Sequence, residues 1–185
     1  MQPSREMAWE LLNMYNTSEA LIKHALAVEG VMRHFACLRN GDPELWGIVG
    51  LLHDLDYEKY PDQHCEMTVQ LLREQMIDEV IVRACASHGF NVCNDIEPTT
   101  DMEKVLYTID ELTGLIGAVA IMRPSRSVMD LELKSVMKKY KTRSFAAGCD
   151  RALIESGCEM IHMSIEDVIT RVIEGMRNVH DIIAL

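Results

Sequence analysis

PELWGIVGLLHDLD, residues 43–56, decides the fold. Pro43 opens the stretch at the first position of a helix, where a missing N–H costs little. Leu45, Trp46, Ile48, Val49, Leu51 and Leu52 then make it apolar almost all round, which marks a central, buried helix. His53 and Asp54 close that helix and so arrive beside the core. Adjacent residues on a regular helix point about 100° apart, but at a helix end both can turn toward one ion. A carboxylate in such a place needs a cation or hydrogen-bond donors to be tolerated.

Working outward, the rest of the chain is also helical in pattern. Met7, Leu11, Leu12 and Tyr15 give a short first helix with apolar spacing. Thr17 or Ser18 caps a second helix that runs to about Asn40, with Leu21, Ala25, Val28, Met32 and Phe35 as its stripe. Asn40-Gly41 stops it. Beyond the opening stretch, a polar loop closed by Pro61 leads to helices expected over 63–75 and 78–87, the latter ended by His88-Gly89. Thr100, with Glu103 three residues on, reads as the capping box of a long helix to about Met122, which Pro124 ends. Helices over 128–140 and 143–156 follow. A last amphipathic helix starts at the cap Ser164 and runs to Met176. No segment alternates with period two, so the expected class is all-α, a single-domain helical bundle without substantial sheet.

Composition narrows the function. The chain has 185 residues, 48% of them apolar, enough for one packed domain. Its formal net charge of −11 repels nucleic-acid phosphates and argues against a polymeric nucleic-acid partner. A small phosphate substrate stays open, because a metal reverses the local sign of the field. The longest uncharged apolar stretch, around 112–122, is too short to span a bilayer and contains Gly114 and Gly117. The N-terminus lacks an apolar signal core. The expectation is a cytoplasmic protein with no membrane partner. None of the six cysteines forms a CxxC pair, so they read as reduced thiols, with Cys37, Cys65 and Cys85 filling small apolar positions in helices. The apolar last helix and the thirteen methionines suit a homodimer interface and core packing equally well.

Two further residues raise the same question as His53-Asp54. Asp110 sits mid-helix between Ile109 and Leu112, with the small Thr113, Gly114, Gly117 and Ala118 beyond it. An ionised carboxylate there is costly unless paired or bound to metal. His24 lies beside the stripe of the second helix. Two imidazoles and two carboxylates make a suitable set for a divalent first-row ion with open positions.

His24, then His53-Asp54, then Asp110 resembles the H…HD…D signature of the HD superfamily of metal-dependent phosphohydrolases. The order and the all-helical pattern both match, and the resemblance runs from about 24 to 122. It implies a bundle of the HD-domain type in which these four residues bind a divalent metal: Mn, Fe, Co, Ni, Zn or Mg. Some members carry two more histidines between the HD pair and the last Asp. His64 and His88 fall in that interval, and they either hold a second ion bridged by Asp54 or line the cleft. The sequence departs from the common HDIGK form: it reads His53-Asp54-Leu55-Asp56-Tyr57-Glu58-Lys59, with the lysine two positions later.

The implied partner is a small phosphorylated substrate attacked by metal-activated water. Asp54, Asp56 and Lys59 are the catalytic candidates. Asp56 either positions water or accepts a proton, or is a solvated loop residue. Lys59, Arg123 and Arg126 are the candidates for phosphate contact, while Lys138, Lys139 and Lys141 read as a solvated face. Tyr57 and Tyr60 line a nucleobase pocket or simply pack. Two rival readings remain: a di-iron oxygenase of the same fold, and a non-catalytic ligand-binding module.

Overall fold

The computed structural model describes residues 1–185. It is all-helical, with a single isolated bridge between Phe90 and Asn94 as its only β pairing. The helices are α1 (Arg5–Tyr15), α2 (Glu19–Leu38), α3 (Pro43–Leu52), α4 (Glu66–Glu74), α5 (Glu79–Ser87), α6 (Asp101–Ile121), α7 (Leu133–Tyr140), α8 (Arg151–Met160), α9 (Ile165–Arg177) and α10 (His180–Ile183). One 3-10 turn, Pro61–Gln63, precedes α4.

The caps act as their residue types dictate. Asp42 accepts the amides of Glu44 and Leu45 and leaves Pro43 the first helical position of α3. Thr100 and Glu103 form both halves of the capping box of α6. Ser164 caps α9.

The long helices α2 and α6 form the frame. α2 packs against α3, α6 and α9, while α6 packs against α8 as well. Two close approaches fix α2. A Cβ at Gly50 of α3 would stand 3.0 Å from the Val28 carbonyl oxygen, and one at Gly175 of α9 would stand 2.7 Å from Val31 Cα. Val28, Val31, Met32 and Phe35 are fully buried between these neighbours. Glu29 is buried on the same helix, and it is satisfied: Arg5 donates to both of its oxygens at 2.7 and 2.9 Å, and Arg33 Nε donates at 3.1 Å.

Several expectations need correction. The helix expected over 128–140 is only α7, and residues 128–130 form a bend and turn that lead into extended backbone at Glu132. The helix expected over 143–156 begins at Arg151 and runs on to Met160. Both departures have one cause, an arginine from a later helix that satisfies the carbonyls a helix would otherwise use. Arg177 donates to the carbonyls of Val128 and Leu131. Arg151 donates to those of Phe145, Ala146 and Cys149. The helix expected from Gln63 starts three residues later, because Cys65 takes φ 67°. A further short helix, α10, follows α9, so α9 is not the last. Cys37 is exposed rather than packed.

Candidate metal centre

The ends of α3 and α5, the loop before α4 and the middles of α2 and α6 meet at one place. His53 continues the helical backbone at the end of α3 (φ −59°, ψ −39°), and its Nδ1 donates to the Gly50 carbonyl at 2.8 Å. A carbonyl only accepts, so Nδ1 carries a proton, and deprotonation of the ring leaves the lone pair on Nε2. That Nε2 lies 3.2 Å from Asp110 Oδ1 and 3.4 Å from Asp54 Oδ2. It is fully buried and makes no well-directed hydrogen bond to either. From α2, His24 Nε2 reaches Asp110 Oδ1 at 2.9 Å and stands 3.9 Å from Asp54 Oδ2. One ligand atom from each of His24, His53, Asp54 and Asp110 falls within 4.8 Å of all the others. Ligands about 2.0–2.2 Å from a shared ion would be this close together.

A second set shares Asp54. His88 Nε2 lies 3.3 Å and His64 Nε2 3.6 Å from Asp54 Oδ1. His88 Nδ1 faces the Cys85 carbonyl, and His64 Nδ1 faces Asp56 Oδ1 at 2.9 Å. With both Nδ1 atoms bonded to acceptors, the two Nε2 atoms stand 3.2 Å apart and confront each other with lone pairs once both rings are neutral. Asp54, His64 and His88 would hold a cation there, and its charge would relieve that contact. The orphaned His53 Nε2 and this lone-pair confrontation are the features a pair of divalent ions would satisfy.

Electrostatics point the same way. Burial opposes charge on the His53 imidazole, yet Asp54 and Asp110 carry its pKa well above the usual value. Burial opposes charge on Asp54 as well, and His53 and His88 hold its carboxyl well below the usual range. Asp110 is likewise pulled down against burial, by His53 and His24. His64 is raised against burial by Asp56 and Asp54. Without an ion, the carboxylates are balanced by protons held on imidazoles.

The structure brings together His24, His53, Asp54, Asp110, His64 and His88. It places the other candidates elsewhere. Asp56 is no solvated loop residue and has no oxygen free for water: it is fully buried, with Oδ1 on His64 and Oδ2 accepting the Thr68 amide at 2.8 Å. It orients His64 instead. Lys59 is turned away, its Nζ donating to the Met14 carbonyl at 2.7 Å and lying over the Tyr15 ring. With Glu58, which accepts the amides of Thr17 and Ser18, it fastens the loop after Asp54 to the α1–α2 turn. Arg123 is committed to Asp130 at 2.9 Å. Arg126 lines a separate cleft of about 800 Å³ that shares only His24 and Gly114 with the cavity over the ligand sets.

That cavity, of about 590 Å³, is walled by residues sequence reasoning passed over. Tyr107 and Glu111 lie in it, as do Ala146, Gly148 and Cys149 of the loop before α8. The Tyr107 hydroxyl is buried without a hydrogen-bond partner, and burial raises the pKa of Glu111. Tyr107, Asp110, Glu111 and Gly114 stand at helical i, i+3, i+4 and i+7, a signal that could have found them. Tyr57 lines the cavity; Tyr60 does not.

A family model described as HD domain matches residues 21–115, just over half of the chain. No solved structure matches it.

Proposed function

The chain belongs to the HD-domain family, and on that premise we propose that it is a metal-dependent phosphohydrolase acting on a small phosphoester such as a nucleotide. The observation that carries this reading is the position of Asp54, which turns one oxygen to each ligand set. His24, His53, Asp54 and Asp110 would hold the first divalent ion, and Asp54, His64 and His88 the second. Such ions, when bound, supply Lewis acidity toward phosphoryl oxygens and lower the pKa of water toward neutrality.

The rest is done by the chain itself. The Gly50 and Cys85 carbonyls and the Asp56 carboxylate fix the tautomers of His53, His88 and His64, so that each turns Nε2 toward Asp54. Leu21, Leu115 and Ile154 wall the cavity with apolar surface that excludes water from the substrate body. Tyr107 lines the same cavity. No lysine or arginine lines the cavity, so recognition of the phosphoryl group rests on the ligand sets.

The test is a panel of nucleotides and phosphomonoesters assayed with manganese, cobalt, nickel or iron, and again after chelation. At least one compound should be hydrolysed, with activity abolished in Asp54→Ala. Protein with bound metal and no turnover across the panel would contradict the proposal. The second ligand set also suits an iron pair reacting with dioxygen. Dioxygen consumption by iron-loaded protein, without phosphate release, would favour that chemistry.

A further inference from the structure

Cys65 and Cys93 lie 28 positions apart in sequence, and their sulfurs lie 2.9 Å apart. The separation discriminates between two uses of a thiol pair. Two thiolates on one tetrahedral ion, each about 2.3 Å from it, would stand nearly 4 Å apart. A disulfide needs about 2.05 Å. The pair is closer than chelation requires and within about 1 Å of bonding.

Two backbone features produce the contact. Cys65 adopts φ 67° and ψ −41°, a strained conformation for a residue with a Cβ. Gly89 lies beneath both thiols, and a Cβ there would collide with each sulfur. Cys65 is buried, whereas Cys93 is open to solvent. The two segments so joined are those of the candidate centre: His64 immediately precedes Cys65, and His88 immediately precedes Gly89.

We infer that Cys65 and Cys93 are an oxidisable dithiol whose closure to a disulfide clamps the segment carrying His64 to the segment carrying His88. Hydrogen peroxide is the oxidant. The exposed Cys93 sulfur attacks one peroxide oxygen, the O–O bond breaks, and a sulfenic acid and one water form. Cys65 sulfur then attacks the Cys93 sulfur, the S–O bond breaks, and a second water leaves with the Cys65 proton. Two thiols and one peroxide thus become one disulfide and two waters. The small remaining travel favours closure.

The bridge itself does not depend on the metal reading; only its consequence for His64 and His88 does. The experiment treats the full chain with graded hydrogen peroxide, blocks remaining thiols under denaturing conditions, and maps peptides without reduction. A Cys65–Cys93 linked peptide should appear before any other pairing, at a cost of two of the six thiols, and should vanish with dithiothreitol. Closing this loop should raise the melting temperature by about 5 °C or more. Cys93→Ser, at an exposed position, should fold normally and show neither change. Over-oxidation of Cys93 while Cys65 stays alkylatable would overturn the bridge, and a bridge that leaves the melting temperature unmoved would overturn the clamp. A bridged, stabilised protein that binds a single ion would sustain the dithiol and refute the two-ion arrangement.

Discussion

At the scale of single residues, the centre depends on which groups accept and which donate. Asp56 spends both oxygens on holding His64 and the start of α4, so it acts through another side chain. Asp56→Asn should weaken binding of the second ion about 10–100-fold and leave the first nearly unchanged, which isothermal titration with manganese would resolve. Lys59→Ala should change turnover by less than about threefold, since the ammonium sits on Met14 and Tyr15 rather than on substrate; a loss of several hundredfold in kcat/KM would restore the lysine to the site. The clustering of His24, His53, Asp54 and Asp110 was legible because a buried helix ending in His53-Asp54 and a mid-helix Asp110 are costly without a cation. The roles of Asp56 and Lys59 were not, because a loop sequence does not reveal where its side chains turn.

At the scale of elements, helix starts were legible where Thr100 and Ser164 stood as caps in front of an apolar stripe and where Pro43 opened a helix. The region after α6 was less so. There two arginines override local preference: Arg151 takes the carbonyl of Phe145 six residues before it, and Arg177 that of Val128 49 residues before it, and nothing in the local pattern announces either. Asp150, which accepts the Ala152 amide as the cap of α8, was the signal available. Arg151 holds in place a loop whose Ala146, Gly148 and Cys149 wall the cavity. Arg151→Ala should cost about 1–3 kcal/mol, since it strips donors from four carbonyls. Urea denaturation would measure the loss, and metal content should stay at the wild-type level.

At the scale of the whole molecule, an acidic chain gathers a cluster of histidines and aspartates that could hold a divalent cation. No helix is long and apolar enough to cross a membrane. The pH dependence follows from the raised pKa of His53 and His64 in the ion-free protein. A group whose folded pKa is raised adds stability that is complete below its unfolded value, near 6.5, and lost as pH rises through the folded value. Ion-free protein should therefore melt at lower temperature as pH climbs from that value. Metal binding displaces the same protons, so affinity should rise over the same window and the loaded protein should not weaken with it. Melting curves with manganese and with chelator, across a pH series, would show the two trends diverge.

The most direct test is anomalous scattering from a manganese-soaked crystal of the full chain. The expected result is a peak enclosed by His24, His53, Asp54 and Asp110. A second peak should lie about 3.5–4 Å away, against His64 and His88. A soaked crystal with no ion among the first four side chains would contradict the metal centre, and with it the hydrolase built on it.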